Sequence, residues 1–351
     1  MKKRIWFNRS FNTTYHIINL VKNNSENVKF EIFGTNTNSY SAMLHACDYF
    51  EIEPQITDEN AYIDYALDFC KRNKIDIFVA GFLFLSSISK NKKRFEDINT
   101  KVLISDDYKL IELFDSKIDT YKAIKNFNVV EIPEYYTVNT AEEFKSAYKK
   151  LISNGHRVCF KPTVSQGGAG FRIISDDSSN KLNNLFGDLS YQVDFEDVYK
   201  ILSTSKSFDE LIVMEYIDGY EYSIDCLGDN GKLLFAVPRK KIDGRVRYLE
   251  ENQELIELAK KISEIYKMSY IYNIQVRYSN KDKVFKLLEI NPRISGGMQI
   301  STMSGINFPY LAIKLLLGEN IDIFKPKLDL MFTQIESELK LDYRKLEMLK
   351  T

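Results

Sequence analysis

YNIQVRYSNKDKVFKLLEINPR, residues 272–293, joins two apolar runs through the polar segment SNKDK. That pattern predicts a β-hairpin. Glu289 and Asn291 lie two residues apart, so in a strand they share a face. A turn centred near Asp282 sets Gln275 opposite Glu289, and directly opposed side chains stand about 5 Å apart. Three oxygen-bearing side chains then meet on one patch of sheet. Such a patch is either a seat for a hard divalent cation that brings its own water and phosphate oxygens, or the solvated face of an antiparallel sheet. Arg293 follows at the same spacing, just past Pro292, with a guanidinium fork suited to a carboxylate or phosphate. A one-residue slip in register would send Gln275 to the other face.

The composition bounds the classes open to this chain. With 351 residues it is too long for one ordinary core, and it suits two domains or one with subdomains. Apolar residues at 44% and charged residues at 28% predict a folded, water-compatible chain. A net charge of −1 without a long basic run lacks the footprint of a nucleic-acid binder. Cys47, Cys70, Cys159 and Cys226 form no Cys-x-x-Cys pair, and with only three histidines a structural zinc site has no support. MKKRIWFNRSFNTTYHII does not read as a signal peptide. No run reaches the roughly 18 apolar residues of a membrane span. The expectation is a cytoplasmic protein with reduced thiols and no membrane partner.

Along the first third, apolar runs alternate with helical patterns. RIWF (4–7), VKFEIFGT (28–35), IDIFVAGF (75–82) and KVLIS (101–105) read as strands, and TTYHIINLVKN (13–23) and AYIDYALDFCKRN (61–73) as helices. The alternation predicts a parallel α/β sheet with helices on its faces. No Gly-x-Gly-x-x-Gly follows any of these strands, so the dinucleotide fingerprint is missing although the topology is Rossmann-like. A second unit begins near DSKIDTYKAIKNF, a helix carrying Lys117, and continues through AEEFKSAYKKLIS (141–153). The segment 175–207 reads as an insertion or mobile connection, polar and then helical. LIVMEYIDGYEYSIDCLG (211–228) gives two strands around Gly219, LLFAVPRKK (233–241) a third, and NQELIELAKKISEIYKM (252–268) an amphipathic helix.

Three further sites stand out. FKPTVSQGGAGFRII (160–174) crowds Gly167, Gly168 and Gly170 behind Gln166, and reads alone as a hairpin turn or a phosphate-holding loop. Lys161 ends its apolar run, where a charge without an anion nearby is poorly placed. Glu215 ends a run that should be buried, and Glu221 follows the Asp218-Gly219 turn. An apolar slot, an edge of backbone and a carboxylate suit an adenosine; an acidic turn is the alternative.

In this order the pieces resemble the ATP-grasp superfamily, and within it the halves of the carbamoyl-phosphate synthetase large subunit and the carboxylate–amine ligases. The pieces are Lys117, Lys161-Pro with its glycines, Glu215 to Glu221, Gln275, and Glu-Ile-Asn-Pro-Arg. The resemblance covers roughly residues 105–318. It implies a Rossmann-like pre-ATP-grasp domain over 1–112 and an ATP-grasp domain of two α+β subdomains over 113–325, the smaller about 130–215. A strand and tail over 326–351 complete the chain. It further implies that Lys117 and Lys161 contact the phosphates of ATP, with Gln166, Gly167, Gly168 and Gly170 in a mobile flap over them. Glu215 with the backbone of Tyr216 and Ile217 would take adenine, and Glu221 the ribose, although the spacing of the two acids is tight. Gln275, Glu289 and Asn291 would hold Mg2+ or Mn2+. Arg293 would steady a carboxylate or acyl phosphate, and Arg239 and Lys240 would approach the γ-phosphate or substrate.

The activity so implied is ATP-dependent ligation of a small-molecule carboxylate to an amine, with ADP and phosphate released, in an enzyme similar to others that form homodimers. No nucleophilic residue is needed, in keeping with the lack of a Ser/His or Cys/His signature. The alternatives are a nucleotide-binding regulatory or partner protein without turnover, and a small-molecule kinase of the same fold.

Overall fold

A computed structural model describes residues 2–105, 107–163, 169–175 and 191–341. The chain divides into two compact units: residues 1–115, 221–275 and 289–351 form one, and 116–220 with 276–288 the other.

In the first unit, β1 (Lys3–Phe7), β2 (Phe30–Asn36), β3 (Tyr49–Ile52), β4 (Ile77–Val79) and β5 (Lys101–Leu103) make a parallel sheet in the order β3-β2-β1-β4-β5. Period-two alternation sorts its side chains. Ile5, Phe7, Ile32, Ile77, Val79 and Leu103 face one core with the helix Thr14–Lys22, while Trp6, Phe33, Phe78 and Val102 face another with the helix Glu59–Asn73. Both faces are apolar because both are covered, as a doubly wound sheet requires. Trp6 stacks between Phe69 and Phe78, with ring centroids at 4.5 and 4.2 Å. The strand expected over 75–82 stops at Val79 because Asn8 takes over the next backbone: its Oδ1 accepts the Gly81 N–H at 2.7 Å. A Cβ on Gly81 would lie 2.7 Å from the Arg9 carbonyl oxygen, so this crossing needs glycine.

The second unit holds β6 (Tyr135–Val138), β7 (Val158–Pro162), β8 (Arg172–Ile174), β9 (Gln192–Val193) and β10 (Leu211–Glu215), in the order β6-β10-β7-β8-β9. β10 runs antiparallel to β6 and β7, β7 antiparallel to β8, and β8 parallel to β9. The helix Ala141–Ser153 begins at a capping box between Thr140 and Glu143 and packs Phe144 against Phe160 and Phe195.

The remaining strands form a third sheet: β11 (Glu221–Asp229), β12 (Lys232–Asp243), β13 (Val246–Leu249), β14 (Tyr270–Ser279), β15 (Val284–Asn291) and β16 (Leu330–Thr333), in the order β15-β14-β11-β12-β13-β16. β10 and β11 flank Gly219 yet belong to different sheets, so that turn is not a hairpin. β3 and β13 carry no readable signal in the sequence because each is a four-residue strand without clear alternation. The fold is thus a parallel N-terminal sheet followed by the mixed and antiparallel sheets typical of ATP-grasp subdomains. Among the described residues no single helix is long and apolar enough to cross a membrane. The bent pair Met298–Ser304 and Phe308–Leu317 is apolar, but Met298, Ile300, Phe308 and Ile313 are core residues.

Candidate active site

The β14–β15 ribbon carries the central patch. Gln275 Nε2 and Asn291 Nδ2 each donate to the same Glu289 oxygen at 2.9 Å, the juxtaposition that the expected register requires. Arg293 Nη2 donates to Asn291 Oδ1 at 3.0 Å, and its Nη1 to the Ile294 carbonyl at 3.2 Å. Burial pushes the Arg293 pKa down, with Glu289 and Asp115 acting the other way. Among the described residues no group of three His, Cys, Asp or Glu side chains is arranged to hold a metal. The patch is instead one carboxylate between two amides. Rotating either amide about its last bond turns a carbonyl oxygen toward the position its N–H2 now fills. This donor set fits Mg2+ that arrives with phosphate oxygens, since it leaves most coordination and charge to them.

The second unit places Glu215 at the end of β10, 4% exposed. Its carboxylate accepts from Lys286 Nζ at 2.6 Å and from the Glu134 N–H at 2.9 Å, and His156 Nδ1 stands 3.0 Å away. Lys286 also meets Asp282 at 2.6 Å, and His156 Nε2 lies 3.2 Å from Glu134. A cavity of about 700 Å3 opens beside this cluster. Beyond Glu215, the Tyr216 N–H is taken by the Arg157 carbonyl at 2.7 Å. The Tyr216 carbonyl and the Ile217 N–H have no hydrogen-bond partner among the described residues. The Tyr216 ring has Arg157 and Arg277 over it, at 4.8 and 5.3 Å. A Cβ on Gly219 would lie 2.2 Å from the Tyr278 carbonyl oxygen, which fixes glycine at this turn.

Lys117 opens the helix Lys117–Phe127, capped by Ser116. Lys161 lies in β7 across from Ile212, on the face opposite Phe160 and Val213, which belong to the helix-covered core. β7 and β8 pair antiparallel around the glycine-rich stretch. Gly170 has φ +74°, and a Cβ there would lie 2.6 Å from Pro162 Cδ. Gln166, Gly167 and Gly168 lie outside the described residues.

Comparison with known proteins agrees with this architecture. Residues 207–338 match the family "ATP-grasp in the biosynthetic pathway with Ter operon", and residues 9–103 match "PylC-like, N-terminal domain". The chain is an ATP-grasp protein with a PylC-like N-terminal domain. This ATP-grasp chain is 21% identical over 287 residues to the carbamoyl phosphate synthase large chain of Clostridium acetobutylicum, covering 78% of itself and 25% of that protein. It spans about a quarter of the length of the curated relatives it matches. Its fold is similar to the biotin carboxylase domain dimer of Hydrogenobacter thermophilus 2-oxoglutarate carboxylase, in complex with MgADP, ADP and bicarbonate. That likeness has a TM-score of 0.66 at 16% identity, covering 94% of this chain and 73% of that one. The L-amino acid ligase of Bacillus licheniformis gives a TM-score of 0.60 at 16% identity, covering 90% and 74%. The ATP-grasp family comprises ATP-dependent ligases and carboxylases.

In this ATP-grasp protein, the sequence reading missed the groups that hold the named residues in place. Asp225, fully buried, accepts from Asn273 and Ser295 at 2.7 Å each, from Ser301 at 2.5 Å and from Arg239 Nη2 at 3.2 Å. Arg239 is itself 3% exposed. Gly297 explains part of SGGMQIS, because a Cβ there would lie 2.7 Å from Arg239 Nη1. Lys240 pairs with Glu250 at 3.4 Å. Glu221, at the start of β11, is bound by Lys241. The signal for Lys286 was present: it shares strand parity with Leu288 and Ile290, where a lysine is out of place. His156, in a polar loop, gave none. All four cysteines are buried thiols, and burial pushes Cys47 and Cys159 up to about 12, which leaves no thiolate nucleophile.

Proposed function

We propose that this protein is a carboxylate–amine ligase that spends ATP. The observation that carries the reading is the Gln275–Glu289–Asn291 patch, with Arg293 beside it and no carboxylate within ion-pair distance of that guanidinium among the described residues. In the proposed reaction a substrate carboxylate oxygen attacks the γ-phosphorus and the bond to ADP breaks. The amine then attacks the acyl carbon, phosphate leaves, and the amine loses a proton. Mg2+ or Mn2+, when bound, would neutralise phosphate charge; Glu289, Asn291 and Gln275 would hold it. This chain's own part is positioning and charge neutralisation. Lys117 and Lys161 would bind phosphate oxygens, and Arg293 would orient the carboxylate or acyl phosphate. Adenine would take the unpartnered edge at Tyr216 and Ile217, and Glu215, already holding three partners, would fix the strand end that presents it. Glu221 remains assigned to the ribose and Arg239 to the wall of the substrate site. The loop with Gln166, Gly167, Gly168 and Gly170 would cover the phosphates. The domain limits of 1–112, 113–325 and 326–351, a homodimer and a cytoplasmic location belong to the same proposal.

Steady ADP release, screened over amino acids, uronic acids and bicarbonate with and without amines, tests the reading. Release that needs both a carboxylate and an amine supports it. Release with a hydroxyl compound and no amine would make the protein a kinase of the same fold, and tight ATP binding without turnover a regulatory binder.

A further inference from the structure

The first unit contains a cavity of about 400 Å3 whose wall includes Gln275 of the central patch and three cations, Arg239, Lys241 and Arg247. That volume falls in the roughly 300–1,000 Å3 range of small-molecule sites. Two of the cations already hold a carboxylate: Arg239 holds Asp225 and Lys241 holds Glu221. Arg247 differs. Its Nη1 donates to the Gly244 and Val246 carbonyls at 2.7 and 2.9 Å, and among the described residues no carboxylate lies within ion-pair distance. Lys241 and Arg247 are moreover cross-strand partners in the β12–β13 register. Like charges directly opposed on one face destabilise a sheet, and Glu221 forms an ion pair with Lys241 but not with Arg247. Burial, with Arg239 nearby, pushes the Arg247 pKa down, with Glu221 opposing. A half-buried guanidinium in such a place is a docking point for an oxyanion. Thr13, Ser223 and Gln334 also line the cavity, so its wall is largely polar and suits a polar occupant.

We propose that this cavity seats the second substrate, a small polar molecule that keeps a carboxylate or phosphate group through the reaction and places it on Arg247 opposite Lys241. Naming the occupant a substrate rests on the ligase reading; the anion site itself does not.

The test is calorimetric titration of the full chain, without nucleotide, with succinate, with inorganic phosphate and with neutral succinamide. Succinate or phosphate should bind and succinamide should not, and the tighter anion tells carboxylate from phosphate. Arg247→Gln should weaken that binding at least about tenfold, the usual worth of a charge-assisted fork. Arg247→Lys should recover part of it, and it carries the test if the glutamine variant fails to fold. Arg245→Gln, at an exposed arginine paired with Glu336, should bind as the wild type does. Absence of binding by either anion, or unchanged binding in the Arg247 variants, overturns the proposal. The Glu289→Gln, Asn291→Ala double variant should still bind the anion while losing ADP release. If the double variant kept ADP release, the metal assignment would fall; if wild-type ADP release needed neither a carboxylate nor an amine, the ligase reading would fall, and in both cases the anion site would stand.

Discussion

At the scale of single residues, the candidate site depends on charges held by other charges. Glu289→Gln with Asn291→Ala removes the one carboxylate and one amide of the central patch. ADP release should fall by at least about a hundredfold, the order of loss seen when a preorganised electrostatic group is removed. The melting temperature should stay near wild type, since neither side chain is core; near-normal turnover would remove the metal assignment. Lys286→Met strands the Glu215 carboxylate with one cationic neighbour fewer. Its two ends are 10% and 4% exposed, so the loss should be about 3 kcal/mol in urea denaturation. The pH profile of that loss follows from two shifts. Burial pulls the Lys286 pKa down, but its bonds to Asp282 and Glu215 outweigh this and raise it. The Lys286 bond holds Asp282 below its usual value. A raised lysine stabilises below its unfolded pKa of about 10.4, and a depressed aspartate above about 3.9. The difference between wild type and Lys286→Met should therefore be flat from about pH 5 to 9 and shrink below about pH 4. A difference that grows on acidification would contradict the pairing.

Elements set how those residues meet. In β14 and β15 a turn at SNKDK and period-two alternation were enough to place Gln275 against Glu289, because a strand's register follows from its turn. Arg239 was named through the resemblance alone, and its partner was not legible. Asp225 lies fourteen residues earlier, in β11, and the pair meets only because β11 and β12 run antiparallel. Gly297 shows how closely backbone and side chain are fitted there. In Gly297→Ala the new Cβ would press the Arg239 guanidinium off Asp225. We expect a stability loss of about 2 kcal/mol, typical of a strained small-to-large change in a packed site. Wild-type stability in thermal unfolding would show that Arg239 yields freely. Gly219→Ala is the backbone counterpart: its Cβ meets a carbonyl oxygen rather than a flexible side chain, so it should cost more than Gly297→Ala in the same assay.

For the molecule as a whole, nucleotide and metal should act together. MgATP at a hundred times its dissociation constant should stabilise the chain by about 2.7 kcal/mol by linkage alone. Chelation with EDTA should remove most of that gain and all ADP release, and added Mg2+ or Mn2+ should restore both. Full turnover in EDTA would overturn the proposed role of Gln275, Glu289 and Asn291.

The sequence by itself determined the parallel N-terminal sheet, the hairpin and the chain order of Lys117, Lys161, Glu215 and the Gln275–Glu289–Asn291 patch. These rest on periodicity and short spacing, which a single chain segment carries within itself. Tertiary structure alone decided that Glu215 would be held by His156 and Lys286, that Asp225 would hold Arg239, and that Arg247 would stand opposite Lys241 with no carboxylate in ion-pair distance among the described residues. Those are contacts between strands and loops that pairing brings together. Whether a buried charge is satisfied or left for a ligand depends on which neighbours arrive, and no local pattern encodes that.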